Sequence, residues 1–266
     1  MRSSHTTFLL RLLRTVAGAW CITAAAPAWA VAPLMIWPID PVILGDQRAA
    51  AVWVENHGAE PLSIQVRVLD WQQPEGVERL GPQQQVVASP PITSIPPGQR
   101  QMVRLIATQP VPPGTENAYR VLVDELPSTE PANDGAPGGA AVKLQMRYSL
   151  PLFVYGKGVR PDKELVTNTE RKQPEPARLL RPQIAWSITR AEGKPMLSIR
   201  NLGDAHARIT AVEWVADGQA PVAVNQGLLG YVLPQVRMRW PLDREPPAGY
   251  RLQAVVNGTR MPLQHE

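Results

Sequence analysis

The chain has a single cysteine in 266 residues, Cys21, and none after it. A disulfide framework, a cysteine metal site and thiol chemistry are therefore excluded from everything downstream. Histidine is nearly as scarce. After residue 30 only His57, His206 and His265 occur, two of them in turns between strand-like runs, and all three read as solvated side chains rather than ligands. No HExxH, CxxC, Gly-x-Ser-x-Gly or Gly-rich phosphate loop is present. The adjacent acids Asp124–Glu125 and the pair Glu75/Glu78 fall at a strand end and in a turn, where a solvated surface accounts for them. Neither metal binding nor catalysis is indicated, and no cofactor is implied.

Charge of one sign is missing from the first thirty residues, which carry Arg2, Arg11 and Arg14 but no acid. The apolar run after Arg14 closes on Ala28-Trp29-Ala30, the pattern of a Sec-type signal peptide cleaved after Ala30. At sixteen uncharged residues, that run is shorter than the roughly 20 a spanning helix needs. Removal of residues 1–30 takes three arginines with it and leaves 24 Lys+Arg against 23 Asp+Glu. A nearly neutral chain has no electrostatic case for nucleic acid as a partner. The remaining 236 or so residues suit two domains of ordinary size.

Helical periodicity is absent as well. Short alternating runs recur instead, among them "AAAVWVEN", "LSIQVRVLDW", "RQMVRLIA", "PMLSIRN" and "ARITAVEWV", separated by turn clusters such as "NHGAEP", "IPPGQR" and "NLGDAH". Regular short strands with 29 prolines marking edges and turns predict an all-β protein of antiparallel sandwiches. The halves echo one another. Asn56, Gly58 and Trp71 recur as Asn201, Gly203 and Trp214, each set running strand, Asn-x-Gly turn, strand, Trp. Composition turns to Gly, Pro and charge after Val154, so the reading is a first domain over 31–156 and a smaller second one over 157–266.

One stretch stands apart. "AVKLQMRYSLPLFV", residues 141–154, alternates over an unusual length for one strand: Val142, Leu144, Met146, Tyr148 and Leu150 fall on one face, and Lys143, Gln145, Arg147 and Ser149 on the other. Such an apolar face packs its own core or is offered to a partner. A division of labour is expected, with Leu150 to Val154 packing inward and the preceding residues donated.

The blocks "PVILGDQRAAAVWVENHGAEPLSIQVRVLDW", "VASPPITSIPPGQRQMVRLIA", "ENAYRVLVDELP" and "VKLQMRYSLPLFVYGKG", in that order, resemble the first domain of periplasmic pilus (fimbrial) assembly chaperones, the PapD-like family. "LSIRNLGDAHARI" and "GLLGYVLPQVRMRWPL" resemble its second domain. The resemblance implies two immunoglobulin-like β-sandwich domains arranged as an L, located in the periplasm, that bind pilus subunits lacking a strand and deliver them to an outer-membrane usher. The last strand of domain one would fill the subunit's groove by β-augmentation. Val142, Leu144, Met146 and Tyr148 occupy that position here. Left free, such an edge is expected to self-associate weakly. The alternative is an immunoglobulin-like structural or adhesive surface protein, in which the strand belongs to a closed sandwich.

The chain departs from the family where the subunit's terminal carboxylate is bound. Asp40 stands where the family's first-strand arginine is expected, and Ser149 where its donor-strand lysine is expected. Arg147 and Lys143, on the same face as Ser149, are the available substitutes for a carboxylate anchor. The family's buried ion pair in domain one matches Arg104 and Glu116. These departures place the chain in a divergent branch.

Overall fold

The computed structural model describes residues 34–127, 145–161 and 177–266, and builds them almost wholly from strands. The first half contains β1 (Leu34–Trp37), β2 (Val42–Ile43), β3 (Ala49–Asn56), β4 (Leu62–Gln72), β5 (Arg79–Gly81), β6 (Val86–Ser89), β7 (Ile92–Ile95), β8 (Arg100–Ala107), β9 (Glu116–Glu125) and β10 (Arg147–Tyr155). One sheet runs β1-β3-β8-β6, and the other β2-β10-β9-β4-β5 with β7 also on β4. Alternation dictates which side chains meet between them. Val52, Val54, Val103 and Leu105 of the first sheet pack on Ile64, Val66, Val121, Val123 and the even-numbered residues of β10 in the second. The all-β, two-sandwich expectation holds.

A small parallel pair, β11 (Val159–Pro161) and β12 (Arg178–Leu180), precedes the second sandwich. Its strands are β13 (Ile184–Ala191), β14 (Lys194–Asn201), β15 (Ala207–Val215), β16 (Val222–Val232), β17 (Arg237–Pro241), β18 (Arg251–Val256), β19 (Thr259–Pro262) and β20 (Gln264–His265). They form sheets β17-β14-β13-β20 and β16-β15-β18-β19. Trp186 and Trp214 meet edge to face in the core at 5.1 Å, and the indole N–H of Trp186 donates to the Leu263 carbonyl.

The sequence echo has a structural counterpart. Asn56 Oδ1 accepts from the Gly58 N–H, while its Nδ2 donates to the Glu60 and Ile95 carbonyls. Asn201 repeats this, with Oδ1 on the Gly203 N–H and Nδ2 on the Ala205 and Val232 carbonyls. In both sandwiches a buried amide ties a turn to a distant strand, which is why asparagine stands there. The tryptophans are not equivalent. Trp214 lies in its own core, whereas Trp71 points out of its sheet and packs with residues of the second sandwich.

The two sandwiches are packed together. An apolar cluster of Trp71, Phe153 and Tyr155 from the first sandwich with Ala205, Tyr231 and Leu233 from the second forms the contact.

Candidate functional site

β10 is the element around which both candidate functions gather. It pairs with β9 along its whole length, Arg147 opposite Asp124 through Tyr155 opposite Glu116. Among the described residues its other edge is paired only at Phe153 and Val154, by β2. The outer edge of Arg147–Leu152 is thus open, with backbone groups available to another strand.

Its two faces diverge along the strand. Leu150, Leu152 and Val154 are buried in the core of the first sandwich, as expected for the inward half. Phe153 and Tyr155 point the opposite way, into the contact with the second sandwich. Toward the amino-terminal end the core-side face emerges: Tyr148 is half-buried against the core, and Met146 is 46% exposed. Burial raises the Tyr148 phenol, and the Glu125 charge adds to the effect. Val142, Lys143 and Leu144 lie outside the described residues. Met146 and Tyr148 therefore continue the face that fills the domain's own core, and only Met146 of the two presents it substantially to solvent.

Arg147 is engaged within its own sheet. It and Arg67 flank Asp124, with Arg67 Nη2 at 2.7 Å from Oδ2 and Arg147 on Oδ1. Asp124 is buried, contrary to the solvated reading. Burial works against its charge, but the hydrogen bonds and charges of Arg147 and Arg67 outweigh burial and hold the carboxyl below its usual range. Arg147 sits at the open end of β10, about 20 Å along the strand from Phe153, away from the contact between the sandwiches.

The expected Arg104–Glu116 pair does not form. Val103 and Leu105 point into the core, so Arg104 between them points out, exposed on the β1-β3-β8-β6 sheet. Glu116 lies on the outer face of the other sheet, with the core in between. Its partner is His206 of the second sandwich. His206 Nδ1 and Glu116 Oε2 are 2.9 Å apart, and the His206 backbone N–H donates to Oε1 at 3.0 Å. Both side chains are almost inaccessible, 4% and 0% exposed. The solvated reading of His206 is thereby corrected. A turn histidine is buried here because the other sandwich covers it, and no local pattern records a partner ninety residues earlier in the chain.

The rest of the contact is polar as well as aromatic. The Gln73 side chain donates to the Tyr231 carbonyl and accepts from the Leu233 N–H, both at 2.9 Å. Arg120 lies over the Trp71 ring at 3.6 Å, and Trp71 meets Tyr231 edge to face. Asp40 is half-buried. Burial raises its carboxyl above the usual range, opposed by its own backbone hydrogen bond and then by the charges of Arg208 and His206. Arg208, whose charge opposes that rise, is a cation that the sequence alone does not single out. Among the described residues no cluster of three or more metal-ligating side chains occurs.

Residues 42–161 match the family described as pili and flagellar-assembly chaperone, PapD N-terminal domain. Over these residues the chain has the N-terminal domain of the PapD-like pilus assembly chaperones. Among solved structures, the CsuC–CsuE chaperone–tip adhesion subunit pre-assembly complex of Acinetobacter baumannii is similar, at 29% identity and a TM-score of 0.67 over 88% of this chain and 100% of that one. The E. coli chaperone DraB, at 18% identity and a TM-score of 0.54 over 88% and 97%, shares the fold. So does the Salmonella enterica complex of SafA pilin with the SafB chaperone, at 16% and 0.57 over 88% and 95%. No curated protein sequence matches the chain. The family is one of binding proteins, not enzymes.

Proposed function

We propose that this pilus assembly chaperone captures its subunits with β10 and the residues leading into it, supplying the strand that an incomplete subunit sandwich lacks. The observation that carries the reading is the half-open strand. Among the described residues Arg147–Leu152 has a partner on one edge only, and the apolar face that fills the domain's core further along reaches the surface at Met146. Backbone ladder bonds give affinity for any subunit, while Val142, Leu144, Met146 and Tyr148 are assigned to its groove. Each large apolar side chain fully buried there contributes about 1.5–3 kcal/mol. No nucleotide or cofactor enters; the subunit's own folding on the donated strand supplies the free energy.

Residues 1–30 act as the secretory leader and the working compartment is the periplasm, from which subunits pass to an outer-membrane usher. Without a subunit, the open edge pairs weakly with a second copy through residues 142–148. The carboxylate anchor is Arg147 or Lys143. Arg147 keeps 62% of its side chain exposed and can bind a second carboxylate only while shared with Asp124. Arg208 is the competing cation, and capture by Arg147→Glu beside Arg208→Glu decides between them.

The reading is tested by hydrogen exchange on the chaperone purified alone and with a co-expressed pilus subunit from a neighbouring gene. Amides of 142–152 are expected to gain protection in the complex. Unchanged exchange there, with protection elsewhere, refutes donation by this strand.

A further inference from the structure

We propose that the outer face of the β1-β3-β8-β6 sheet docks on an anionic phospholipid membrane, a role separate from capture by β10. The sheet turns Val52, Val54, Val103 and Leu105 into the first core, so the residues between them point outward. Register sets these in rows across the strands. Trp37, Trp53 and Met102 form one row, flanked on one side by Met35, Glu55 and Arg100. On the other side come Ala51, Arg104 and Ser89, and then Ala49, Ile106 and Val87. None of the large apolar residues in these rows belongs to any of the three apolar clusters of the molecule. The second sandwich does not cover them, because it packs through Trp71, Phe153 and Tyr155 on the opposite sheet.

The occupant follows from charge and hydrogen-bonding character. Arg100 and Arg104 are exposed, and among the described residues neither is in an ion pair. Arg100 instead lies over the Trp53 ring, 5.0 Å from its centroid. The indole N–H groups of Trp37 and Trp53 have no hydrogen-bond partner among the described residues. Glu55, the one acid in the four rows, stands 3.3 Å from His57 Nε2. The face therefore presents cations and N–H donors around apolar side chains, with almost no free acceptor. A folded protein partner offers donors and acceptors together, whereas the phosphate and ester layer of a bilayer offers acceptors alone, with hydrocarbon beneath. The guanidinium forks suit phosphate oxygens, the indoles suit the interfacial depth where their rings are apolar and their N–H is wet, and the exposed Met35 reaches the acyl boundary. Because β10 lies in the opposite sheet, docking by this face leaves the capturing strand uncovered.

The test is co-sedimentation of the protein with vesicles of phosphatidylcholine alone and of equal parts phosphatidylcholine and phosphatidylglycerol, comparing the parent with the double variant Arg100→Gln, Arg104→Gln and with Met35→Glu. All three positions are exposed, so the variants keep the fold, which their thermal melts check. The parent is expected to sediment with the anionic vesicles only, and less as salt is added. Loss of both arginines should weaken binding roughly thirtyfold, and Met35→Glu should abolish it. Tryptophan fluorescence adds a second reading: brominated phosphatidylglycerol should quench the parent more than Trp53→Phe. A parent that stays in solution with anionic vesicles overturns the proposal, as does equal binding to both compositions or binding that the variants leave unchanged. Should the variants instead lose capture of a co-expressed subunit while no form binds vesicles, the face is a protein interface and the lipid assignment is overturned. Failure of the β10 variants to affect capture would count against the chaperone reading alone, since vesicle binding does not pass through that strand.

Discussion

The side-chain amide of Gln73 and the backbone of Leu233 form a hydrogen-bonded rung between the two sandwiches, Oε1 accepting from the Leu233 N–H at 2.9 Å while Nε2 donates to the Tyr231 carbonyl. The amide is almost fully buried, so water cannot replace it. Gln73→Ala leaves a backbone donor and an acceptor without partners and is expected to cost about 2–4 kcal/mol. Gln73→Glu sets a carboxylate against the Tyr231 carbonyl and should cost at least as much. Urea melts of the two variants beside the parent check this; a loss under 0.5 kcal/mol for both would mean the rung is dispensable.

Asn56 and Asn201 make matching claims in the two sandwiches. Alanine removes three hydrogen bonds at Asn56 and four at Asn201, where Oδ1 also accepts from the Gln183 N–H, and at either position strands two carbonyls, one of them on a distant strand. Each substitution is expected to destabilise by about 2–4 kcal/mol, and aspartate by more, because it turns the donor into a third acceptor. The measurement is the thermal melt, with Asn257, which caps the His206 carbonyl in a half-buried turn, as a milder comparison.

Asp124 predicts an acid limb to the stability curve. Its folded pKa lies below the unfolded value, so its contribution is complete above about pH 4 and is lost as pH falls through the depressed folded value. Asp204, lowered chiefly by the Arg181 backbone N–H and Arg178 against opposing burial, titrates in the same window. The difference between parent and Asp124→Asn isolates the first. Denaturant melts at pH 7, 4 and 3 should show the parent losing its advantage over Asp124→Asn as pH drops; a constant gap would contradict the ion-pair account.

Much of this was legible in the sequence because alternation is a local signal. The inward run Leu150–Leu152–Val154 and the outward Arg104 both follow from period two, and the Asn-x-Gly echo marked two real turn-to-strand ties. The family position that paired Arg104 with Glu116 ran against that same alternation, which places them on opposite outer faces. What local pattern does not carry is contact between the sandwiches. His206 and Trp71 sit in stretches resembling ordinary turns and strand ends, and their burial depends on Glu116, Phe153 and Tyr231, far away in the chain. Asp124 was misread for a related reason: its partners Arg67 and Arg147 come from the strands on either side.

Donation by the face that surfaces at Met146 is the central claim, and the most direct measurement compares Met146→Glu with Leu152→Glu for melting and for capture of a co-expressed subunit. Leu152 is fully buried in the core, so a carboxylate there should unfold the first sandwich. At Met146, half in solvent, the same change should leave the melt within a few degrees of the parent while abolishing capture, because the charge would have to enter the subunit's groove unpaired. Capture undiminished in Met146→Glu, or a collapse of its melt like that of Leu152→Glu, would contradict the account.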